Sequence, residues 1–182
     1  MKFFFLYKRS AFESKEMAQW IAFGPAIFQA ARVLRNSGIL QVIDDSGTTG
    51  LTNEEIAAKV NLSEYGVRVL LESGLGLGLV LVNDKKYTLG KTGYFILHDP
   101  LTITNMDFMH DVNYKGLFYL DESIETGKPA GLKEFGKWKT IYEGLSQLPP
   151  HVQKSWFSFD HYFSDDAFPL VLPMVYKNGV KI

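Results

Sequence analysis

Apolar residues along most of this chain recur at intervals of three and four, the spacing that places them on one face of a helix. "SKEMAQWIAF" reads as a first helix, and Gly24-Pro25 is expected to break it before "AIFQAARVLRNSG" begins a second. In the second stretch Ile27, Ala30, Ala31 and Leu34 share a face, and Gly38 is a natural stop. "SGTTG" reads as a loop. Thr52 and Glu55 stand at capping-box spacing ahead of a short helix whose buried stripe is Ile56, Ala57 and Val60. Asn61-Leu62 turn the chain, and Ser63 is placed to cap another helix with Val67, Leu70 and Leu71 on one face. Two short capped helices joined by a tight turn make a helix-turn-helix. The period then changes: "LVLV", "NDKK" and "YTL" predict strand, turn and strand. A helix-turn-helix followed by a hairpin is a winged helix, and it uses every residue from Thr52 to Leu89.

Beyond the hairpin the pattern is helical again. "DFMHDVNYKGLFYLDESIETG" carries Leu117, Leu120 and Ile124 at helical spacing and stops at Gly127. "KPAGLKEFG" reads as a loop, "WKTIYEGLSQL" as a helix ended by Pro149-Pro150, and "VQKSWFSFDHYF" as another helix. Ser164-Asp165-Asp166 is expected to cap a last helix, which Pro169 and Pro173 bend and Gly179 closes. The fold class is mainly α with one small β-hairpin.

"LLESGLGLGLV" raises the question of a nucleotide loop, because Gly74, Gly76 and Gly78 alternate after an apolar run and an acid. Such a loop works when a strand delivers glycines to the start of a helix whose amides face the ligand. Here the order is reversed. A capped helix precedes the glycines and a hairpin follows, so the glycines read as the end of the helix in the recognition position. A DNA reader needs Lys and Arg on that helix and on the wing. The helix offers Arg68 against Glu64 and Glu72, and the wing has Lys85 and Lys86 beside Asp84. This charge pattern disfavours nucleic acid.

Composition adds exclusions. The 182 residues are 46% hydrophobic, 14% aromatic and 21% charged, values of a folded chain, and the net charge of −1 provides no field for a polyanion. Cysteine is absent, which removes disulfides, thiolate nucleophiles and cysteine-based metal sites. The apolar stretch Phe3 to Tyr7 is shorter than the roughly 7–15 residues of a signal-peptide core, and no apolar run reaches the roughly 20 residues that span a bilayer. The expectation is a cytoplasmic protein without a membrane partner. His98-Asp99 and His110-Asp111 suggest metal or hydrolytic chemistry, but no further ligand stands at metal-binding spacing and no Gly-x-Ser-x-Gly elbow occurs. In "WFSFDHYF", Trp156, Phe159 and Phe163 share a helical face, with His161 adjacent. That stripe reads either as core or as the wall of a pocket for a flat organic molecule, with His161 or Asp160 as its polar handle.

The order of "AIFQAARVLRNSGILQVI", "LTNEEIAAKVNLSEYGVRVLLESGLGLGLV", "YTLGKTGYFIL" and "ESIETGKPAGLKEFG…IYEGL" resembles the N-terminal region of SAM-dependent O-methyltransferases of the plant and bacterial small-molecule type. The resemblance runs from about Phe23 to Ile182 and lies in the order of elements. It implies a winged-helix dimerisation domain over residues 1–100, a helical segment over 101–179, and at 180–182, "VKI", the first strand of a SAM-binding domain that this chain lacks. It implies a homodimer that buries Trp20, Phe23, Ile27 and Phe28, and an acceptor pocket lined by Trp156, Phe159, His161 and Phe163. The longer protein would transfer a methyl group from SAM to a small organic acceptor. This segment alone would hold no catalytic, SAM-binding or metal residues and would be inactive. The alternative is a free-standing winged-helix regulator or adaptor that binds DNA or protein.

Overall fold

The computed structural model describes residues 9–165 and 167–176. The apolar stretch Phe3–Tyr7, the closing Gly179 and the strand-like "VKI" lie outside them. The described residues are mainly helical with one two-stranded antiparallel sheet, and they divide into two units between His98 and Asp99.

The first unit begins with α1, Ala11–Asn36. Ser10 opens it with a capping box: its hydroxyl accepts from the Glu13 N–H at 3.2 Å, and the Glu13 carboxylate accepts from the Ser10 N–H at 2.7 Å. The expected break at Gly24-Pro25 does not occur, and Pro25 sits inside one 26-residue helix. Proline removes one backbone donor from a helix interior and crowds the preceding turn, at a cost of about 3 kcal/mol. The apolar stripe keeps its phase across it, with Trp20, Phe23, Ile27, Ala31 and Leu34 following one another at three- and four-residue steps. Ala31 and Leu34 bury the far end of that stripe, so one continuous helix satisfies packing where two would not.

Gly38, left-handed at φ +82°, turns α1 into α2, Ile39–Asp45. Thr52 then caps α3, Asn53–Val60, with both halves of the predicted box formed. Asn61 is left-handed, and Ser63 caps α4, Glu64–Gly76, by accepting from the Gly66 N–H. The Asn53 amide donates to the Glu64 carbonyl at 3.1 Å and ties the start of α3 to the start of α4. Strands β1, Val80–Asn83, and β2, Lys86–Leu89, pair with Asn83 opposite Lys86. Asp84 and Lys85 both take positive φ, the conformation a two-residue type I′ turn requires. The core gathers Leu34, Ile39, Leu40, Ile43, Ile56, Val67, Leu71, Leu79 and Val80, all without meaningful exposure. Helix α5, Lys91–His98, follows the hairpin, and Gly93 lets its backbone lie directly on the Leu79 carbonyl, where a Cβ would collide.

In the second unit Asp99 caps α6, Pro100–Phe108, and accepts from both the Thr102 hydroxyl at 2.7 Å and the Thr102 N–H at 2.8 Å. The Thr102 hydroxyl first, then its N–H, hold the Asp99 carboxyl below the ordinary aspartate range. The next twenty residues are helical in pieces: a π turn at Met109–Asn113, a 3-10 turn at Gly116–Tyr119, and α7, Leu120–Thr126. Gly127 ends α7 in the left-handed region, as the sequence suggests. The helix expected over "WKTIYEGLSQL" is replaced by 3-10 turns at Ile141–Glu143 and Leu145–Gln147. Thr140 is extended there (φ −139°, ψ 159°), and the Lys139 N–H donates to the Glu143 carboxylate instead of a helical carbonyl. The Trp138 ring lies against Gly136 and Gly144, positions where a side chain would overlap it. Folding the indole inward takes precedence over helical continuity.

Pro149-Pro150 therefore starts a helix instead of ending one: α8 runs Pro150–Ser164, with Pro150 in its first turn. Val112, Leu148 and Val152 form the centre of this unit's core, with Phe108, Phe135, Trp138 and Trp156 packed around them. The last helix, α9, spans Phe168–Val175 and has Ala167 at its cap with no side-chain bond. Ser164 closes α8 and does not cap α9, and Asp166 lies outside the described residues. Among the described residues no helix is long and apolar enough to cross a membrane.

Two measurements check these contacts. Gly93→Ala should lower unfolding stability by about 2 kcal/mol or more, an overpacking cost, whereas Gly76→Ala, which meets open space, should change it by about 1 kcal/mol or less. Denaturant midpoints of the two variants decide whether the Leu79 approach is real. For Asp99 the folded carboxyl ionises more readily than the unfolded one. Its stabilising contribution is complete above the usual aspartate value of about 3.9 and fades as pH falls through the lower folded value. Asp99→Ala should flatten the acid limb of the stability curve and leave its neutral region parallel to that of the parent.

Candidate functional site

Two surfaces hold the residues that the sequence singles out. On the first unit, α1 and the C-terminal turn of α4 enclose an open apolar cleft of about 660 Å³. Phe12, Trp20, Phe23 and Ile27 form its α1 side, while Ser73, Gly76 and Leu77 form its α4 side. Trp20 is 43% and Phe23 61% exposed. That leaves a large apolar area in water, of a kind that marks an interaction site. Lys15, Glu16 and Glu72 supply a charged rim. Phe28 is half-buried and does not line the cleft. Phe12 and Ile21, exposed at 76% and 72%, add to the apolar surface of α1 without being signalled by the sequence pattern.

The glycines end α4 as expected. Gly78 is left-handed (φ +66°) and the Gly74 carbonyl accepts from the Leu79 N–H at 2.8 Å. A Cβ on Gly74 would lie 3.2 Å from both Leu34 and Val80, so its bareness serves side-chain packing. Gly76 meets nothing and instead opens the cleft floor. What faces outward at this end of α4 is the carbonyl pole of a helix followed by an antiparallel hairpin. No amide cradle forms, so these residues do not fit a SAM nucleoside or its carboxylate.

On the second unit, the aromatic face of α8 is assembled as the spacing suggests. Phe159 stacks on Phe108 with ring centres 3.9 Å apart and planes 12° apart. Trp156 lies 5.8 Å from Phe108 and meets Tyr142 edge-on at 6.2 Å. Phe163 continues the face 4.9 Å from Phe159. Phe159, Asp160 and Phe163 border an open hollow of about 300 Å³. His161 points elsewhere: it is largely exposed and its Nδ1 lies 3.2 Å from Asp165 Oδ1. Phe108 and Tyr142 complete the cluster from distant segments, a pairing that no local spacing signals.

The two His-Asp dipeptides do not act as pairs. His98 Nε2 reaches back to Asp44 Oδ2 at 2.8 Å while Asp99 caps α6. Asp111 accepts a 2.6 Å hydrogen bond from the buried Ser155 hydroxyl, and the His110 ring lies 6.1 Å from that of Tyr114. Among the described residues no group of three or more His, Cys, Asp or Glu side chains is placed to hold a metal ion. On α4, Arg68 lies over the Tyr65 ring, 5.6 Å from its centre.

Residues 15–87, from α1 into the second strand of the hairpin, match the family of the Dimerisation2-like domain. Over this stretch the chain is similar to that family. The proteins it resembles are SAM-dependent methyltransferases. L-tyrosine C(3)-methyltransferase of Streptomyces lavendulae is 22% identical over 156 residues, which cover 81% of this chain and 41% of that protein. Among solved structures, the S-adenosylmethionine-dependent methyltransferase SibL in its apo form aligns with a TM-score of 0.69 and 25% identity, over 84% of this chain and 45% of that one. Mitomycin 7-O-methyltransferase MmcR aligns with a TM-score of 0.64 and 17% identity, over 81% and 43%. The chain thus spans less than half the length of the relatives it matches. The family match and the exposed cleft fall on the same helix, where Trp20 and Phe23 lie within the matched residues.

Substitutions in the second unit should separate core from surface. Ser155→Ala removes the donor to Asp111 and should cost about 1–3 kcal/mol, the penalty for an unmet polar partner. His161→Ala removes only a surface pair and should change stability by about 1 kcal/mol or less. Thermal or denaturant unfolding of the two variants tests the assignment.

Proposed function

We propose that these residues form the dimerising and acceptor-lining portion of a SAM-dependent methyltransferase acting on a small organic acceptor. The observation that carries this reading is the exposed aromatic stripe of α1 inside the matched dimerisation domain. Trp20, Phe23 and Ile27 are buried against a second copy, with Phe28 packing behind them at the edge of the contact. Apolar area of this kind drives association at about 25 cal/mol per Å² before the entropy of joining two bodies is subtracted. Trp156, Phe159 and Phe163 form one wall of the acceptor site, and His161, on another face of α8, is available as a polar group at its margin. The transfer is to oxygen, as the name of the mitomycin relative states for that protein; the Streptomyces lavendulae relative is named for a carbon acceptor, and product analysis separates the two outcomes. SAM is held by residues other than those described, so this segment alone is inactive and binds SAM weakly at most. The protein works in the cytoplasm.

Light scattering at tens of micromolar tests the reading. The expected mass is twice the 20.6 kDa of the chain. The double variant Trp20→Ser, Phe23→Ser should shift the equilibrium to monomer by roughly 700-fold, since two central aromatic residues of an interface at about 2 kcal/mol each sum to about 4 kcal/mol. Its helical circular dichroism should be unchanged, because both side chains are exposed in the isolated chain. A parent protein that stays monomeric at that concentration contradicts the proposal.

A further inference from the structure

A cavity of about 550 Å³ in the first unit shares no lining residue with the α1 cleft. Val42 and Asp45 line it from α2, and Lys59 lines it from α3. The turn between these helices adds the Ser46 and Thr49 hydroxyls and the half-buried Leu51. That turn is held from behind. Leu51 exchanges both backbone hydrogen bonds with Tyr87 of β2: its N–H donates to the Tyr87 carbonyl at 3.1 Å, and its carbonyl accepts from the Tyr87 N–H at 2.7 Å. Gly50, also part of the lining, is buried and left-handed at φ +65°. A Cβ on it would stand 2.9 Å from the Tyr87 carbonyl oxygen. Only a bare backbone lets the turn lie this close to the strand, so this wall is fixed by the fold.

Two opposite charges reach this space and neither is matched within the described residues. Asp45 Oδ1 accepts from the Gln41 side-chain amide at 2.8 Å, and no donor reaches Oδ2 among the described residues. No carboxylate among the described residues forms an ion pair with Lys59. Glu55, one helical turn before Lys59, instead accepts from the Thr52 N–H at 2.8 Å. The Ser46 hydroxyl donates to the Ile43 carbonyl at 2.6 Å, which leaves its oxygen able to accept a further bond. The exposed Thr49 hydroxyl can donate or accept. A ligand of one sign would match only one of the two charges, whereas a zwitterion matches both. Val42 and Leu51, both half-buried, offer apolar surface to a short aliphatic group. The volume falls within the range of small-molecule sites, about 300–1,000 Å³.

We propose that this cavity binds a small zwitterion, an α-amino acid with a branched aliphatic side chain, with its ammonium on Asp45 and its carboxylate on Lys59. The Ser46 oxygen accepts a second ammonium hydrogen, and Val42 and Leu51 cover the aliphatic group. The site lies in the first unit and depends neither on the α1 contact nor on methyl transfer.

Titration of the whole chain with L-leucine, read by amide chemical shifts in NMR, tests it. Two analogues each lack one charge: 4-methylpentanoate has no ammonium and 3-methylbutylamine has no carboxylate. The expected result is saturable binding of L-leucine at about millimolar concentration, with shifts centred on residues 42–51 and 59. Each analogue should bind more weakly by roughly three- to fivefold, the contribution of one exposed ion pair. Lys59→Met should weaken L-leucine and 4-methylpentanoate by a similar factor and leave 3-methylbutylamine unchanged. Asp45→Asn should weaken L-leucine and 3-methylbutylamine and leave 4-methylpentanoate unchanged. Both positions are exposed, and Lys59→Gln serves if the methionine variant does not fold. No saturable shift, shifts centred elsewhere, equal affinity for the three compounds, or unchanged L-leucine affinity in either folded variant overturns the proposal. A monomeric mass by light scattering with intact L-leucine binding would remove the dimer reading and leave this one standing.

Discussion

The contact on which the rest depends is the approach of Leu34 and Val80 over the bare backbone of Gly74. It joins the far end of α1, the last turns of α4 and the first residue of the hairpin in one fully buried spot. A methyl group there would stand 3.2 Å from both neighbours, tighter than ordinary packing allows without a shift. With this end of α1 fixed in the core, the helix direction is set, and its opposite end lies along the flank of α4. The exposed aromatic stripe follows from that placement. The same helix face that buries Leu34 at one end presents Trp20, Phe23 and Phe12 at the other.

The hairpin and the helix-turn-helix depend on the same spot. Val80 reaches it because Gly78 reverses the chain after α4, and Leu79 beside it lies under Gly93 of α5. A winged helix thus serves here as a clamp on α1. On its exposed elements Arg68 lies over the Tyr65 ring, and the positive-φ turn residues Asp84 and Lys85 carry opposite charges.

Much of the first unit is legible from local spacing. Thr52 with Glu55, Ser63 with Gly66, and Asp84-Lys85 are short-range signals whose chemistry involves residues within three or four positions, and each forms as read. The structure departs from local spacing in two opposite ways. Pro25 costs one hydrogen bond, but the stripe on either side of it stays in phase, and burial of Ala31 and Leu34 outweighs the local penalty. In "WKTIYEGLSQL" the helical spacing is present, yet Trp138 folds onto Gly136 and Gly144 and pulls the backbone out of helix. For the candidate sites, spacing along α8 unites Trp156, Phe159 and Phe163, while His161 has Asp165 as its neighbour in space. Phe108 is invisible to local spacing, since it meets Phe159 from a distant segment of the chain.

If α1 is a continuous helix whose first half is an interface, its protection must depend on protein concentration, while that of the buried winged helix must not. Hydrogen–deuterium exchange of the intact chain, measured from the nanomolar to the high micromolar range, reads this directly. The account predicts that amides and contacts over residues 12–28 gain protection as concentration rises, with residues 53–89 unchanged. Protection over 12–28 that is independent of concentration, or a boundary of slow and fast exchange at Pro25 itself, would contradict it.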